Sequence, residues 1–431
     1  MKRFLPRLVT VFSCVFSLLT PLHAQEKTKQ YDLIIVGGGA LGLSSAYYAA
    51  KKGQSILVLE QDKFFNEASG SSSFARQFRV QYNDPRVSRL AIAAIPMWKD
   101  LQKQAGEKLL VQSGILWFGD LNTTNAEGKL ETAEEDLVKM KLPFETLSSK
   151  QIEKRFQFST LPDTWSGLWQ PDGGQINVKG TLHAFYNGAA GNTDFQENQK
   201  VVQIASTKSG VVVKTKKDTF YGKKIIIAPG PNINQVLESL NMQLDIEIWE
   251  MLLVYYKMKT KKVNYPVWLA FQEGSPNDPN LYYGFPEDIW QYPGYVQVGS
   301  NYPSRIYKSL EEYKQRPDPK TIAHISRWVK NHMTDLDPEP KYPATCVVAL
   351  FVDPSKKSSI RHEKGIGLSH EMLLDFAPSF VPNNRNIVIC ATGCAFKLLP
   401  ILGKICVDLA VDGATKYDIS CFEFNEDMLK K

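Results

Sequence analysis

The chain has 431 residues, 43% of them hydrophobic, and a formal charge of +6. That length supports one large core or two domains. The positive excess is too small to point to nucleic acid or a membrane surface.

Three positive side chains, Lys2, Arg3 and Arg7, flank the start of the apolar run "LVTVFSCVFSLLTPL", and small Ala24 closes the segment. Residues 1–24 therefore read as a secretory signal, because the run is short for a bilayer span of roughly 20 residues. The expectation is an exported chain, periplasmic or secreted, with no transmembrane span after cleavage. Cleavage would remove Cys14. Cys346, Cys390, Cys394, Cys406 and Cys421 are too few in so long a chain for a disulfide scaffold.

"YDLIIVGGGALGLSSAYYAAKKGQSILVLEQD" follows, Tyr31 to Asp62. It predicts a strand (Leu33 to Val36), a glycine turn, a small-residue helix (Ala40 to Lys52), a second strand (Ser55 to Leu59) and an acid. Gly37, Gly39 and Gly42 fit G-x-G-x-x-G. Such a turn lets the backbone approach a pyrophosphate, and the helix start, Ala40 and Leu41, presents N–H groups to it. Glu60 is placed to accept hydrogen bonds from a ribose.

An NAD protein would continue with regular strand–helix units. This chain leaves them for "NEASGSSSFARQFRVQYNDPRVSRLA" and returns near Lys200 to Gly230, where Val202 and Gly230 join the expected cofactor contacts. That interruption favours FAD. The fold class is α/β, a Rossmann-like FAD domain interleaved with a sheet-based α+β substrate domain. The expected FAD-domain segments are 31–110, 175–240 and 346–425, and the substrate-domain segments are 111–174 and 241–345. Helices are expected over Val87 to Gln104, in "SLEEYKQ", in "TIAHISRWVKNHM" and in "LPILGKICVDLAVDG" up to Gly413. Asp353 to Gly367 reads as a polar surface loop.

"IVICATGCAFK", Ile387 to Lys397, invites a metal reading, but no second cysteine or histidine pair of matching spacing exists, so no metal is expected. Ile387 to Cys390 reads as a buried strand end and Cys394 as a turn residue. A disulfide between Cys390 and Cys394 stays open.

The chain resembles the D-amino-acid-oxidase-like flavoproteins, in the branch of monomeric sarcosine oxidase and N-methyltryptophan oxidase. The resemblance rests on "VGGGALG", "ARQFRVQY", "GILWFG", "LYYGFP", "ATCVV" and "FKLLPILGKICVDLAVDG", in that order. It implies FAD and oxidation of secondary amines and N-methyl amino acids, with electrons passed to dioxygen. It also implies a monomer. Cys346 stands where this branch links its flavin through sulfur. Arg76 matches the arginine beside the flavin ring. Arg79 and Lys397 match the pair that holds the substrate carboxylate, a task suited to a planar guanidinium. Tyr283 matches a tyrosine of the substrate pocket.

Departures accompany these matches. The family's oxygen-activating lysine aligns with Gln297, which carries no charge, and two family histidines align with Ser72 and Asn301. The family's "G-x-S-G-H-G-F-K" loop is replaced by the shorter "TGCAFK", which keeps Gly393 as the cofactor-side glycine. "IEIWEM" places Trp249 and Glu250 near the pocket. The leading expectation is a flavin-dependent oxidoreductase for a small amine that bears a carboxylate, reoxidised by dioxygen or another acceptor. The alternative is a flavin-binding protein with little or no turnover.

Overall fold

The computed structural model describes residues 29–67, 69–71, 75–82, 84–124, 127–275, 279–300, 304–351, 372–393, 395–424 and 429. The expected signal segment, Ser72, Asn301, Cys394 and the loop from Asp353 to Gly367 lie outside the described residues.

An eight-stranded sheet carries the nucleotide motif. Its central strand, Gln30–Val36, runs parallel to Ile56–Leu59 on one side and Thr219–Ile227 on the other. Thr193–Gln196 extends the first side and Ile387–Thr392 the second, both parallel. Met372–Phe376 closes the edge antiparallel. The first half of Thr219–Ile227 carries a separate hairpin, Val201–Thr207 with Gly210–Thr215.

The central parallel strands are rich in Ile, Val and Leu and buried on both faces, as helix-covered parallel strands must be. Alternation sends Leu33, Ile35, Val58, Val388 and Cys390 toward the helices Ala40–Lys51, Val178–Ala189 and Leu399–Val407. It sends Ile34, Val36, Leu57, Ile227 and Ile389 to the opposite core. The last helix continues as a π-helical turn, Asp408–Asp412, and stops at Gly413, whose φ of 79° suits glycine.

A nine-stranded sheet forms the second body of the fold. Strand Ile246–Lys257 pairs with Lys341–Phe351, Arg305–Tyr307 and Tyr295–Ser300, and the sheet continues through Leu281–Glu287, Val267–Phe271, Ile115–Gly119, Ser166–Gln170 and Glu145–Ser148. One face packs on helix Pro319–His332, where Trp328 stacks on Trp268 at 4.7 Å and on Tyr282 at 5.2 Å. The other face carries Trp117, Leu253, Leu269 and Tyr283. Partners directly opposite in a ladder share a face. Cys346 opposite Met251, and Tyr283 opposite Gly299, therefore look the same way.

Two local expectations change. Cys346 belongs to this second sheet, so the chain crosses back to the nucleotide sheet after Phe351 and not at Cys346. "SLEEYKQ" forms only a 3-10 turn, Leu310–Glu312. Gln315 has a φ of 51°, and Pro317 and Pro319 follow, so no helix propagates there.

Candidate active site

The glycine turn is built for close approach. Gly37 has a φ of 106°, and a Cβ there would meet the Ala228 carbonyl oxygen at 2.4 Å. A Cβ on Gly42 would lie 1.9 Å from the Gly37 carbonyl oxygen, so helix and turn touch backbone to backbone. Gly39 caps the helix without a side chain. Its open N-terminus, with Ala40 and Leu41, faces a cavity of about 440 Å³. The Ala40 N–H donates to the Ser71 hydroxyl at 3.0 Å. Glu60 accepts from the N–H groups of Gly38 (2.8 Å) and Asp62 (3.0 Å) at the cavity wall. A carboxylate has lone pairs beyond these two bonds, and ribose hydroxyls are suitable donors to them.

Gly230, Gly393 and Arg76 line the same cavity. Gly393 is needed for space, since a Cβ there would lie 2.4 Å from the Ala349 carbonyl oxygen. Val202 does not line the cavity. It is 46% exposed, while Lys200 and Val201 form the wall. The expected contact is therefore shifted by one residue, which in a strand means the opposite face.

A second cavity, of about 690 Å³, shares Phe65, Asn66, Ser71, Leu182 and Gln315 with the first and reaches Cys346 and Gln297. Arg76 Nη2 donates to Cys346 Sγ at 3.6 Å. The arginine therefore bridges the nucleotide cavity and the cysteine. Gln297 Oε1 and Thr392 Oγ1 are buried and have no hydrogen-bond partner among the described residues. Buried polar atoms of this kind are costly without a partner, and both border the cavities.

The two expected carboxylate-binding cations converge. The Arg79 guanidinium lies 4.8 Å from the ring centre of Tyr82, and Lys397 Nζ lies 5.8 Å from the same ring. Arg79 also lies 5.1 Å from the ring of Trp117. All three distances suit cation–π attraction. Tyr283 shares a cluster with Trp117, and its hydroxyl lies against Gly299, where a Cβ would be 2.6 Å away.

Sequence reasoning missed one partner. Arg79 Nη2 is ion-paired to Glu127, with the arginine side chain only 5% exposed and the glutamate 15%. Tyr82 and Trp117 were also missed as site residues, although both lie in the motifs "ARQFRVQY" and "GILWFG". Trp249 and Glu250 do not reach this cluster. Trp249 packs with Val348 and Leu350, and Glu250 accepts from Tyr307 and Ser304.

Residues 32–409 match the FAD-dependent oxidoreductase (DAO) family. The chain belongs to that family. It is 33% identical to NikD, an amino acid oxidase essential for nikkomycin biosynthesis. The TM-score to the open form is 0.83, covering 92% of this chain and 98% of that one. Human peroxisomal sarcosine oxidase is 26% identical over 92% of this chain and 96% of that protein. A bifunctional amine oxidase of Dictyostelium discoideum is 29% identical over 92% of this chain and 37% of that protein's length. The monomeric sarcosine oxidase and N-methyltryptophan oxidase branch also matches.

FAD is the cofactor of this family, and the residues present fit it. The glycine turn and helix start suit the pyrophosphate, and Glu60 suits a ribose. Gln297 and Thr392 offer polar groups where the cavities meet the second sheet.

Proposed function

We propose that the protein oxidises the C–N bond of a small secondary amine, or an N-methyl or cyclic amino acid, that carries a carboxylate. The observation that carries this reading is the convergence of Arg79 and Lys397 on the Tyr82 ring beside Trp117 and Tyr283. Glu127 balances one of the two cations. Two cations on one aromatic ring complement the carboxylate of a substrate whose amine binds neutral. A guanidinium has five N–H donors, so Arg79 can hold Glu127 and a substrate carboxylate together. Bound FAD supplies the acceptor for a hydride from the carbon next to nitrogen. A neutral amine needs no dedicated base. Tyr283 and Trp117 wall the substrate and exclude water.

Cys346 is proposed as the covalent attachment point of the cofactor, with Arg76 beside its sulfur. At Gln297 the site offers a hydrogen bond without charge. Slow reoxidation of bound FAD by dioxygen is therefore proposed, because Gln297 would bring no charge of its own to stabilise the negative charge that develops beside it. Another acceptor would serve turnover.

One experiment tests these statements together. The purified protein is mixed anaerobically with N-methyl and cyclic amino acids, and flavin absorbance is followed; air is then admitted. A parallel sample is acid-precipitated. The reading expects bleaching by carboxylate-bearing amines, slow recovery in air and flavin colour in the pellet. Absence of bleaching with every such amine would favour the binding-only alternative. Rapid recovery in air would remove the role given to Gln297. A colourless pellet would remove the covalent link.

Export is proposed from Lys2, Arg3, Arg7 and the apolar run up to Ala24. The intact mass of protein recovered from outside the cytosol is expected to start at Gln25; a mass that includes Met1 would contradict this.

A further inference from the structure

The larger cavity, of about 690 Å³, takes no part in holding the substrate carboxylate. Arg79, Tyr82, Trp117, Tyr283 and Lys397 are not among its walls. Its deep end is formed by Cys346 and Gln297, both buried, and its outer end by Phe65, Lys179 and His183, all exposed. It therefore leads from solvent to Cys346 and Gln297 by a route of its own. Pockets for small organic ligands measure roughly 300–1,000 Å³, and a diatomic gas would fill only a small part of this one.

Its walls suit a flat ring with polar edges. At the mouth, the rings of Phe65 and His183 stack with centres 4.2 Å apart and planes 28° apart. Phe65 holds a φ of 62°, a costly conformation for a bulky side chain. The residue before it is fixed in place: the Phe64 N–H donates to Glu197 at 2.9 Å, and the Phe64 ring packs edge-on to Phe195 at 5.3 Å. The strained backbone at Phe65 thus keeps an aromatic face at the opening instead of in the core. Leu182, Leu253 and Pro317 add apolar wall. At the deep end, Gln297 Oε1 is buried and has no hydrogen-bond partner among the described residues. An amide both donates and accepts. Without any change of charge it can donate to a ligand carbonyl and accept from the hydroxyl that replaces that carbonyl on reduction. A lysine in its place could only donate.

We propose that this cavity binds a small quinone, the electron acceptor that reoxidises the cofactor from the Gln297 side. Two electrons and two protons leave the reduced cofactor, both C=O groups of the quinone become C–OH groups, and FAD is left oxidised. A quinone is uncharged, and its ring oxygens only accept hydrogen bonds, which fits His183 and Lys179 as N–H donors at the mouth and the Gln297 amide at the deep end. The inference rests on the reading of Gln297 as a group without charge that leaves turnover to an acceptor other than dioxygen. It does not depend on which amine is oxidised.

The test uses the holoenzyme and tetramethyl-1,4-benzoquinone, whose fully substituted ring does not add to thiols. Equilibrium dialysis against oxidised protein measures binding alone, since neither partner can then reduce the other. In parallel, protein is bleached anaerobically with stoichiometric dithionite, with no amine present, and mixed with the quinone. Saturable binding is expected, with a reoxidation rate that levels off as quinone concentration rises. His183→Ala, a change at an exposed position, should weaken binding about tenfold. Arg79→Met/Glu127→Gln should leave it intact. A second arm offers the same ring with an isoprenoid tail in phosphatidylcholine vesicles: reoxidation by both forms assigns a lipid-borne quinone, and by the tetramethyl form alone a soluble one. Absence of binding would overturn the proposal. So would a rate that rises linearly and equally in the parent and His183→Ala, or binding lost in the Arg79 double variant and kept in His183→Ala. Because no amine enters the test, a failure of the amine reading is seen separately from a failure of this one.

Discussion

Arg79→Met is expected to do two separable things. It removes the guanidinium proposed to hold the substrate carboxylate, and it strands Glu127 in a site where that side chain is only 15% exposed. Breaking a buried ion pair by removing one partner typically costs about 3–5 kcal/mol, mostly because the remaining charge has lost its compensation. The single variant should therefore melt well below the parent protein. Adding Glu127→Gln removes the stranded charge and should recover much of that loss. Activity should not follow. Loss of charge-assisted hydrogen bonds worth about 3 kcal/mol corresponds to roughly a hundredfold fall in kcat/KM for the carboxylate-bearing amine. Thermal melts and steady-state rates on the single and double variants check this. If the double variant regains activity with stability, Arg79 is only a structural partner of Glu127. If Arg79→Met keeps full activity, the proposed carboxylate contact is wrong.

Gly42→Ala should abolish cofactor retention. The new methyl group would sit 1.9 Å from the Gly37 carbonyl oxygen, a backbone atom with no rotamer to change. Gly37 is itself held against Ala228, so relief requires the turn to open or the helix Ala40–Lys51 to back away from the sheet. Overpacking of this kind costs about 1–3 kcal/mol in stability. The same shift moves the helix N-terminus away from the pyrophosphate position. The expected product is folded, less stable protein with flavin absorbance reduced to a minor fraction of the parent value. Gly53→Ala serves as the control. Its φ is 71°, so it carries backbone strain, but no atom lies within 4 Å of the added methyl group. It should lose some stability and keep its flavin. Full flavin content in Gly42→Ala would show that this turn does not hold the cofactor.

The nucleotide cradle was legible because it is local. Strand, turn, helix, strand and Glu60 lie in one continuous stretch, and each residue type answers a geometric need in its neighbours. The rest of the site depends on which strands pair. Cys346 and Gln297 reach one cavity only because Ile246–Lys257 lies between their strands, with Cys346 opposite Met251 and Gln297 opposite Tyr255. Glu127 approaches Arg79 across 48 positions of sequence, and nothing in the local pattern of either residue announces the other. Lys200 and Val201 line the cavity while the Val202 side chain is exposed, because successive residues of a strand point to opposite faces. Trp249 and Glu250 looked pocket-facing by position, and strand pairing gave them other partners.

The central claim is that the chain's own cations select a carboxylate-bearing amine for oxidation by bound FAD. The most direct measurement is anaerobic flavin reduction by matched amine pairs that differ only in the carboxylate, for example an N-methyl amino acid against the same amine with a methyl ester. Reduction by the acid that outpaces the ester by about a hundredfold, with that preference lost in Arg79→Met/Glu127→Gln, is the predicted result. Equal reduction rates for acid and ester, or no reduction by either, would contradict it.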